Sequence, residues 1–192
     1  MRKVAAAVRY WPDRGLHPFR RARARRHVKR SAPVRSVLFI CHGNICRSPF
    51  AAAVLAGAAR AQALEISVSS AGFVGPQRPP PEGALRASER RDIDLSAHTS
   101  VLIDSKSLLA ADIVCVMEAQ QASRLKARFG HRGVNILVLG DLDPLPVSRR
   151  TITDPWGASD HVFDASYGRI ERCVQELVQL VAAVASRADP RG

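Results

Sequence analysis

The chain is poor in cysteine and in aromatic residues, with four cysteines, two tryptophans, two tyrosines and six phenylalanines among 192 residues. Cys41, Cys46, Cys115 and Cys173 contain no CxxC pair and are too few for a disulfide scaffold at this length. Reduced thiols are therefore the default, and a cysteine in an unusual setting becomes a candidate for chemistry. His17, His27, His131 and His161 have no metal-ligand spacing, so no metal or cofactor is expected. No apolar run approaches the roughly 20 residues of a spanning helix. The short apolar stretch at 4–8 ends at Arg9, too early for a secretory signal. A cytoplasmic protein is the resulting expectation.

Acidic residues are also nearly missing from the first 33 positions, where Asp13 stands against eleven Lys/Arg. Residues 34–192 hold eighteen basic and sixteen acidic residues, so most of the formal charge of +12 belongs to the leading segment. A nucleic-acid-binding fold is not implied by a domain this close to neutral, and no nucleic-acid partner is expected. Residues 1–33 are read as a basic, disordered N-terminal extension, 34–187 as the folded domain and 188–192 as a C-terminal tail. The extension could touch an anionic membrane surface. Val34 could itself be a start site without loss to the domain behind it.

From Val34 onward the pattern is that of an α/β domain. Val37–Ile40 reads as a buried strand running into a loop, and Ser48-Pro49 as the opening of an Ala-rich helix to about Gln62. Further strands are expected at 66–69, 112–117 and 134–139, with helices near 84–91 and over 118–128. Phe163, Tyr167, Ile170, Val174, Leu177, Val181 and Val184 form one apolar stripe of a long last helix. The alternation predicts a small four-stranded parallel sheet with helices on both faces, flavodoxin- or Rossmann-like, with a phosphate-binding loop after the first strand.

That loop is Cys41-His42-Gly43-Asn44-Ile45-Cys46-Arg47-Ser48. Gly43 permits close backbone approach, and Asn44 tolerates a left-handed conformation. Successive amides and the helix N-terminus form a nest for an oxyanion, and Arg47 offers a planar fork to phosphate oxygens. Such surroundings favour the thiolate of Cys41, with the Ser48 hydroxyl as a donor to it. Thiolate attack on phosphorus requires an acid opposite the nucleophile. Asp154, held in a loop by Pro155, suits that role where a bound dianion favours the protonated carboxyl.

With these residues in place, the sequence resembles the low-molecular-weight protein tyrosine phosphatase family in its bacterial form. The resemblance lies in VLFICHGNICRSP (37–49), Ser70-Ala71-Gly72, Asp94–His98, Ala111–Val114 with Met117, and Asp154-Pro155-Trp156. It covers about residues 35–185 and makes 34–187 the phosphatase domain. It implies Cys41 as nucleophile, Arg47 as phosphate ligand, Asp154 as general acid and Ser48 as support of the thiolate. It also implies that Asn44 holds the loop with help from His98, and that Cys46 can form a reversible disulfide with oxidised Cys41. His42, Gly43, Asn44, Ile45, Cys46, Ser48 and Trp156 complete the substrate-binding set. Implied partners are phosphotyrosine proteins, among them the bacterial tyrosine kinases tied to exopolysaccharide export.

The departures are informative. His42 stands where apolar residues or threonine are common, and is expected to point to solvent. Trp156 replaces a frequent tyrosine and can wall a pocket for a phenyl ring. Protein-arginine phosphatases of the same scaffold share the Asp-Pro-x-Gly segment but carry threonine where Ile45 stands, so an aryl phosphate is favoured here. Arsenate reductases relay electrons through further cysteines, whereas Cys115 falls in a predicted core strand. A non-enzymatic anion- or membrane-binding module using the basic arm is a fourth reading, but a binding loop does not need Cys41 together with Asp154.

Overall fold

A computed structural model describes residues 2–130 and 133–188, with side chains over 14–130 and 133–186. His131 and the tail beyond residue 188 lie outside it. The elements run α1 (Arg2–Arg30), β1 (Ser36–Cys41), α2 (Arg47–Ala61), β2 (Ser67–Gly72), α3 (Glu82–Glu89), α4 (Ser105–Ala110), β3 (Ile113–Val116), α5 (Ala119–Phe129), β4 (Ile136–Val138), a 3-10 turn (Leu139–Leu142) and α6 (Asp160–Ala188).

The four strands are all parallel, in the order β2-β1-β3-β4. Alternation along the strands decides which side chain meets which layer. Val37, Phe39 and Cys41 of β1 face one core with Phe50 and Leu55 of α2 and the apolar stripe of α6. Leu38 and Ile40 face the other, with Leu108 of α4 and Leu125 of α5. The expected four-stranded sheet with helices on both faces is thus present. The order reverses beside β1, since β2 lies on one side of it and β3 on the other. That makes the carboxyl end of β1 the topological switch point, where ligands bind in open α/β sheets.

Three local readings need correction. Helix α2 begins at Arg47, not at Ser48, and no side chain caps it. The Ser48 hydroxyl is turned instead toward the end of β1. Helix α4 went unread because its six residues are too few to display a periodicity. Asp104 caps it, accepting from the Ser107 amide at 2.7 Å.

The third correction concerns the basic leading segment, which forms a helix rather than a disordered extension. Val28 is fully buried and Ala24 nearly so, both within the core shared with α2 and α6. His17 donates through Nε2 to the Asp143 carbonyl at 3.0 Å. Arg21 pairs with Glu176 of α6 at 2.8 Å, and Arg25 with the other oxygen of the same carboxylate. A chain beginning at Val34 would leave this face of the domain uncovered. Val28→Ala should lower stability by about 1–2 kcal/mol through lost burial and the space left behind. Urea unfolding followed by circular dichroism checks this, and an unchanged midpoint would mean that α1 does not belong to the core.

Candidate active site

The loop from Cys41 to Ser48 joins β1 directly to α2. Its shape is set by Asn44, which adopts φ +53°. The Asn44 side chain donates from Nδ2 to Ser48 Oγ at 2.9 Å and to Ser70 Oγ at 2.8 Å. Its Oδ1 accepts the Val101 amide at 2.8 Å. Its carbonyl accepts from His98 Nε2 at 2.7 Å. At the end of β2 a Cβ on Gly72 would stand 2.8 Å from the Asn44 nitrogen, so the loop lies directly on that strand.

Two donors converge on the sulfur. Cys41 Sγ accepts from the Asn44 amide at 3.2 Å and from Ser48 Oγ at 3.1 Å. Because Ser48 Oγ already accepts from Asn44, its own proton is available to the sulfur. This arrangement suits a thiolate.

Arg47 is 1% exposed. Its Nη1 donates to Glu118 at 2.8 Å and to the Ile152 carbonyl at 3.1 Å, and its Nη2 reaches Asp154 at 2.5 Å. Its Nε is buried with no hydrogen-bond partner among the described residues. A buried donor left unpaired is costly, and a bound anion would satisfy it. Glu118 is a residue the sequence reading missed. It follows β3, accepts from Gln121 Nε2 at 3.0 Å, and thereby fixes the guanidinium from the far side.

Cys41, His42, Gly43, Ile45, Cys46, Val74, Arg78, Asp154 and Trp156 line one cavity of about 160 Å³. Ile45 and Val74 are apolar walls, and the Trp156 indole, 66% exposed, stands at the mouth. His42 is exposed, as expected. Asn44 and Ser48 are fully buried and support the loop rather than line the cavity. Cys46 is buried, and its carbonyl accepts from Tyr167 of α6 at 3.2 Å. Arg78 was not singled out from the sequence, where the run after β2 shows only a Pro-rich loop.

Residues 36–187 match the family model for low molecular weight phosphotyrosine protein phosphatases. The chain belongs to this family. Among curated relatives, it is 27% identical over 144 residues to a protein-arginine-phosphatase of Bacillus subtilis (strain 168), covering 74% of this chain and 94% of that one. A probable low molecular weight protein-tyrosine-phosphatase, EpsP of Ralstonia nicotianae, is 26% identical over 152 residues, 79% of this chain and 99% of the relative. The YwlE arginine phosphatase of Geobacillus stearothermophilus superposes with a TM-score of 0.72 at 23% identity, covering 83% of this chain and all of that one. The tyrosine phosphatase Wzb of Escherichia coli K30, in complex with sulphate, gives 0.68 at 24% identity over 76% and 97% of the two chains. At these identities the two structures share the fold with this low-molecular-weight phosphatase. The segment before residue 36, with all of α1, lies outside the family match.

Burial pushes the Cys46 thiol up to about 12, with the neighbouring Cys41 adding to it. Burial moves Cys115, Cys173 and Tyr167 in the same direction. A thiol that stays protonated in the fold while the unfolded chain ionises near 9 stabilises the native state fully below that pH. The contribution is lost as pH rises toward about 12. The urea midpoint should therefore fall between about pH 9 and 11, and fall less steeply in Cys46→Ala. Equal midpoints for the wild-type protein across that interval would contradict the burial of these groups.

Proposed function

We propose that this phosphatase hydrolyses phosphotyrosine in proteins through a cysteinyl-phosphate intermediate, without metal. The observation that carries the reading is the convergence on one cavity of Cys41, under its two donors, and of Asp154, brought there by its contact with Arg47. These groups come from opposite ends of the domain and have no structural need of each other.

The phosphate dianion enters the cradle of loop amides and takes up the unpaired Nε of Arg47. Cys41 Sγ attacks phosphorus in line, forming a P–S bond as the P–O bond to the tyrosine ring breaks. Asp154, as the general acid, gives a proton to the departing phenolate oxygen. Water then attacks phosphorus, losing its proton to the Asp154 carboxylate. The P–S bond breaks, inorganic phosphate leaves, and the thiolate returns to its two donors.

Apolar walls from Ile45 and Val74, with Trp156 at the mouth, favour an aryl group over the polar guanidino group of phosphoarginine. The arginine-phosphatase relative and the shared Asp-Pro-x-Gly segment keep phosphoarginine as the second reading. Cys115 and Cys173 are fully buried, in β3 and α6, away from the cavity, which speaks against their serving the electron relay of an arsenate reductase. A mere anion-binding module would have no use for Asp154 beside Cys41.

Phosphotyrosine proteins are the proposed partners, with an autophosphorylating tyrosine kinase of an exopolysaccharide system as the expected type. EpsP, named among the relatives as a probable protein-tyrosine-phosphatase, supports the phosphotyrosine part of that expectation. Among the described residues no helix is long and apolar enough to cross a membrane. We place the protein in the cytoplasm, with the exposed Arg23, Arg26, Lys29 and Arg30 of α1 as its contact with an anionic membrane surface.

With p-nitrophenyl phosphate in EDTA, the wild-type protein should turn over. Cys41→Ser should lose about 10³-fold or more in kcat, and Asp154→Ala about 10²- to 10⁴-fold with phosphoenzyme accumulating on rapid quench. Unchanged rates in Cys41→Ser would sink the mechanism. Ile45→Thr should shift the ratio of kcat/KM from phosphotyrosine toward phosphoarginine, and an unmoved ratio would remove Ile45 from the account of selectivity.

A further inference from the structure

Arg78 is the arginine of the cavity lining, and the mechanism does not use it. Its guanidinium is fixed by backbone carbonyls on one edge. Nε donates to the Gly75 carbonyl at 2.9 Å, and Nη2 to the carbonyls of Gly43 and Val74, each at 3.2 Å. Ser100 steadies the same turn, with Oγ accepting the Arg78 amide at 2.9 Å and donating to the Gly75 carbonyl at 2.6 Å.

The backbone is shaped around this side chain. Gly75 holds φ +62°, and a Cβ there would collide with the Arg78 guanidinium. A Cβ on Gly43 would stand 2.7 Å from Nη2. Since the guanidinium is planar, fixing Nε and Nη2 also fixes the direction of Nη1. Nη1 has no hydrogen-bond partner among the described residues, and Arg78 pairs with no carboxylate among them. The two acids nearest the chemistry, Glu118 and Asp154, are engaged by Arg47 instead.

The location decides what Arg78 can meet. In a phosphate nest the amides point inward and the carbonyls outward. A guanidinium that caps the Gly43 carbonyl therefore sits outside the phosphate cradle, at the rim. Arg47 and the loop amides serve the phosphate. A group on the rim faces the chain that carries the phosphotyrosine.

We propose that Arg78 is a specificity-determining residue, whose Nη1 binds a carboxylate of an acidic residue adjacent to the phosphotyrosine of a protein substrate. The inference rests on the phosphatase reading above and deepens it from phosphotyrosine in general to phosphotyrosine in an acidic context. A rigid fork with one open nitrogen and no internal counter-charge suits an incoming anion, because no existing ion pair has to be broken.

The test compares kcat/KM for three phosphotyrosine peptides that differ only in having Asp, Ala or Lys beside the phosphotyrosine. The wild-type protein should prefer the Asp peptide over the Lys peptide by about five- to tenfold at low salt, less at high salt. R78Q should bring that ratio to within about twofold, R78K should keep part of it, and R78E should invert it. Arg78 also braces the loop, so absolute rates are expected to fall in every variant, and the ratio within each variant is what reads the proposal. For a variant too slow to assay, peptide affinities measured in a Cys41→Ser background give the same ratio. A wild-type ratio near one, or a wild-type ratio retained in R78Q, overturns the role of Arg78 and leaves the phosphatase reading standing. A wild-type protein that hydrolyses none of the three peptides overturns both.

Discussion

Asn44 is the residue on which the site depends. A single left-handed residue turns the chain so that its amide reaches Cys41 Sγ, while its side chain ties Ser48, Ser70 and Val101 together. Each of these bonds has a separate consequence. The bond to Ser48 frees the serine proton for the sulfur. The bonds to Ser70 and Val101 fasten the loop to β2 and to the segment before α4. Because the network is buried and its members are mutually satisfied, the donors around the sulfur are in place before any substrate arrives.

Arg47 applies the same logic to positive charge. A buried guanidinium is tolerable only with partners, and Glu118, Asp154 and the Ile152 carbonyl supply them on its outer nitrogens. What remains is one buried nitrogen, Nε, without a partner among the described residues. The carboxylate that completes the pairing, Asp154, is also the residue we propose as the acid. In that proposal pairing and catalysis share a residue, and a bound phosphate would compete with Asp154 for the same guanidinium.

Charge elsewhere in the molecule is organised by burial. Asp143 is fully buried and satisfied by Arg169 and Arg172 of α6, while Asp141 holds Arg150. Asp160 and Asp164, at the start of α6, pair with Arg86, Arg90 and Arg91 across to α3. Helix α1 belongs to this system, since Glu176 receives both Arg21 and Arg25. Much of the excess positive charge of the chain therefore lies on an integral helix, with part of it neutralised against α6 and part facing outward.

The sequence by itself determined whatever depends on neighbours in the chain. Strand β1, the Cys41–Ser48 loop and α2 are consecutive, so nucleophile, amides and guanidinium could be read from eight residues. Uninterrupted apolar runs exposed the buried strands, and the stripe from Phe163 to Val184 exposed α6. Tertiary structure alone decided the rest, for one physical reason: those features depend on partners far away along the chain. Among its described side chains, helix α1 buries small or polar groups such as His17, Ala24 and Val28, and its countercharge lies some 150 residues on at Glu176. Glu118 gains meaning only beside Arg47, 71 residues earlier, and Arg78 only beside the carbonyl of Gly43, 35 residues earlier. Composition showed an excess of positive charge, but only folding decided which guanidinium is buried against Glu118 and Asp154, which ones hold α1 against α6 and which one is fixed by backbone carbonyls beside the cavity.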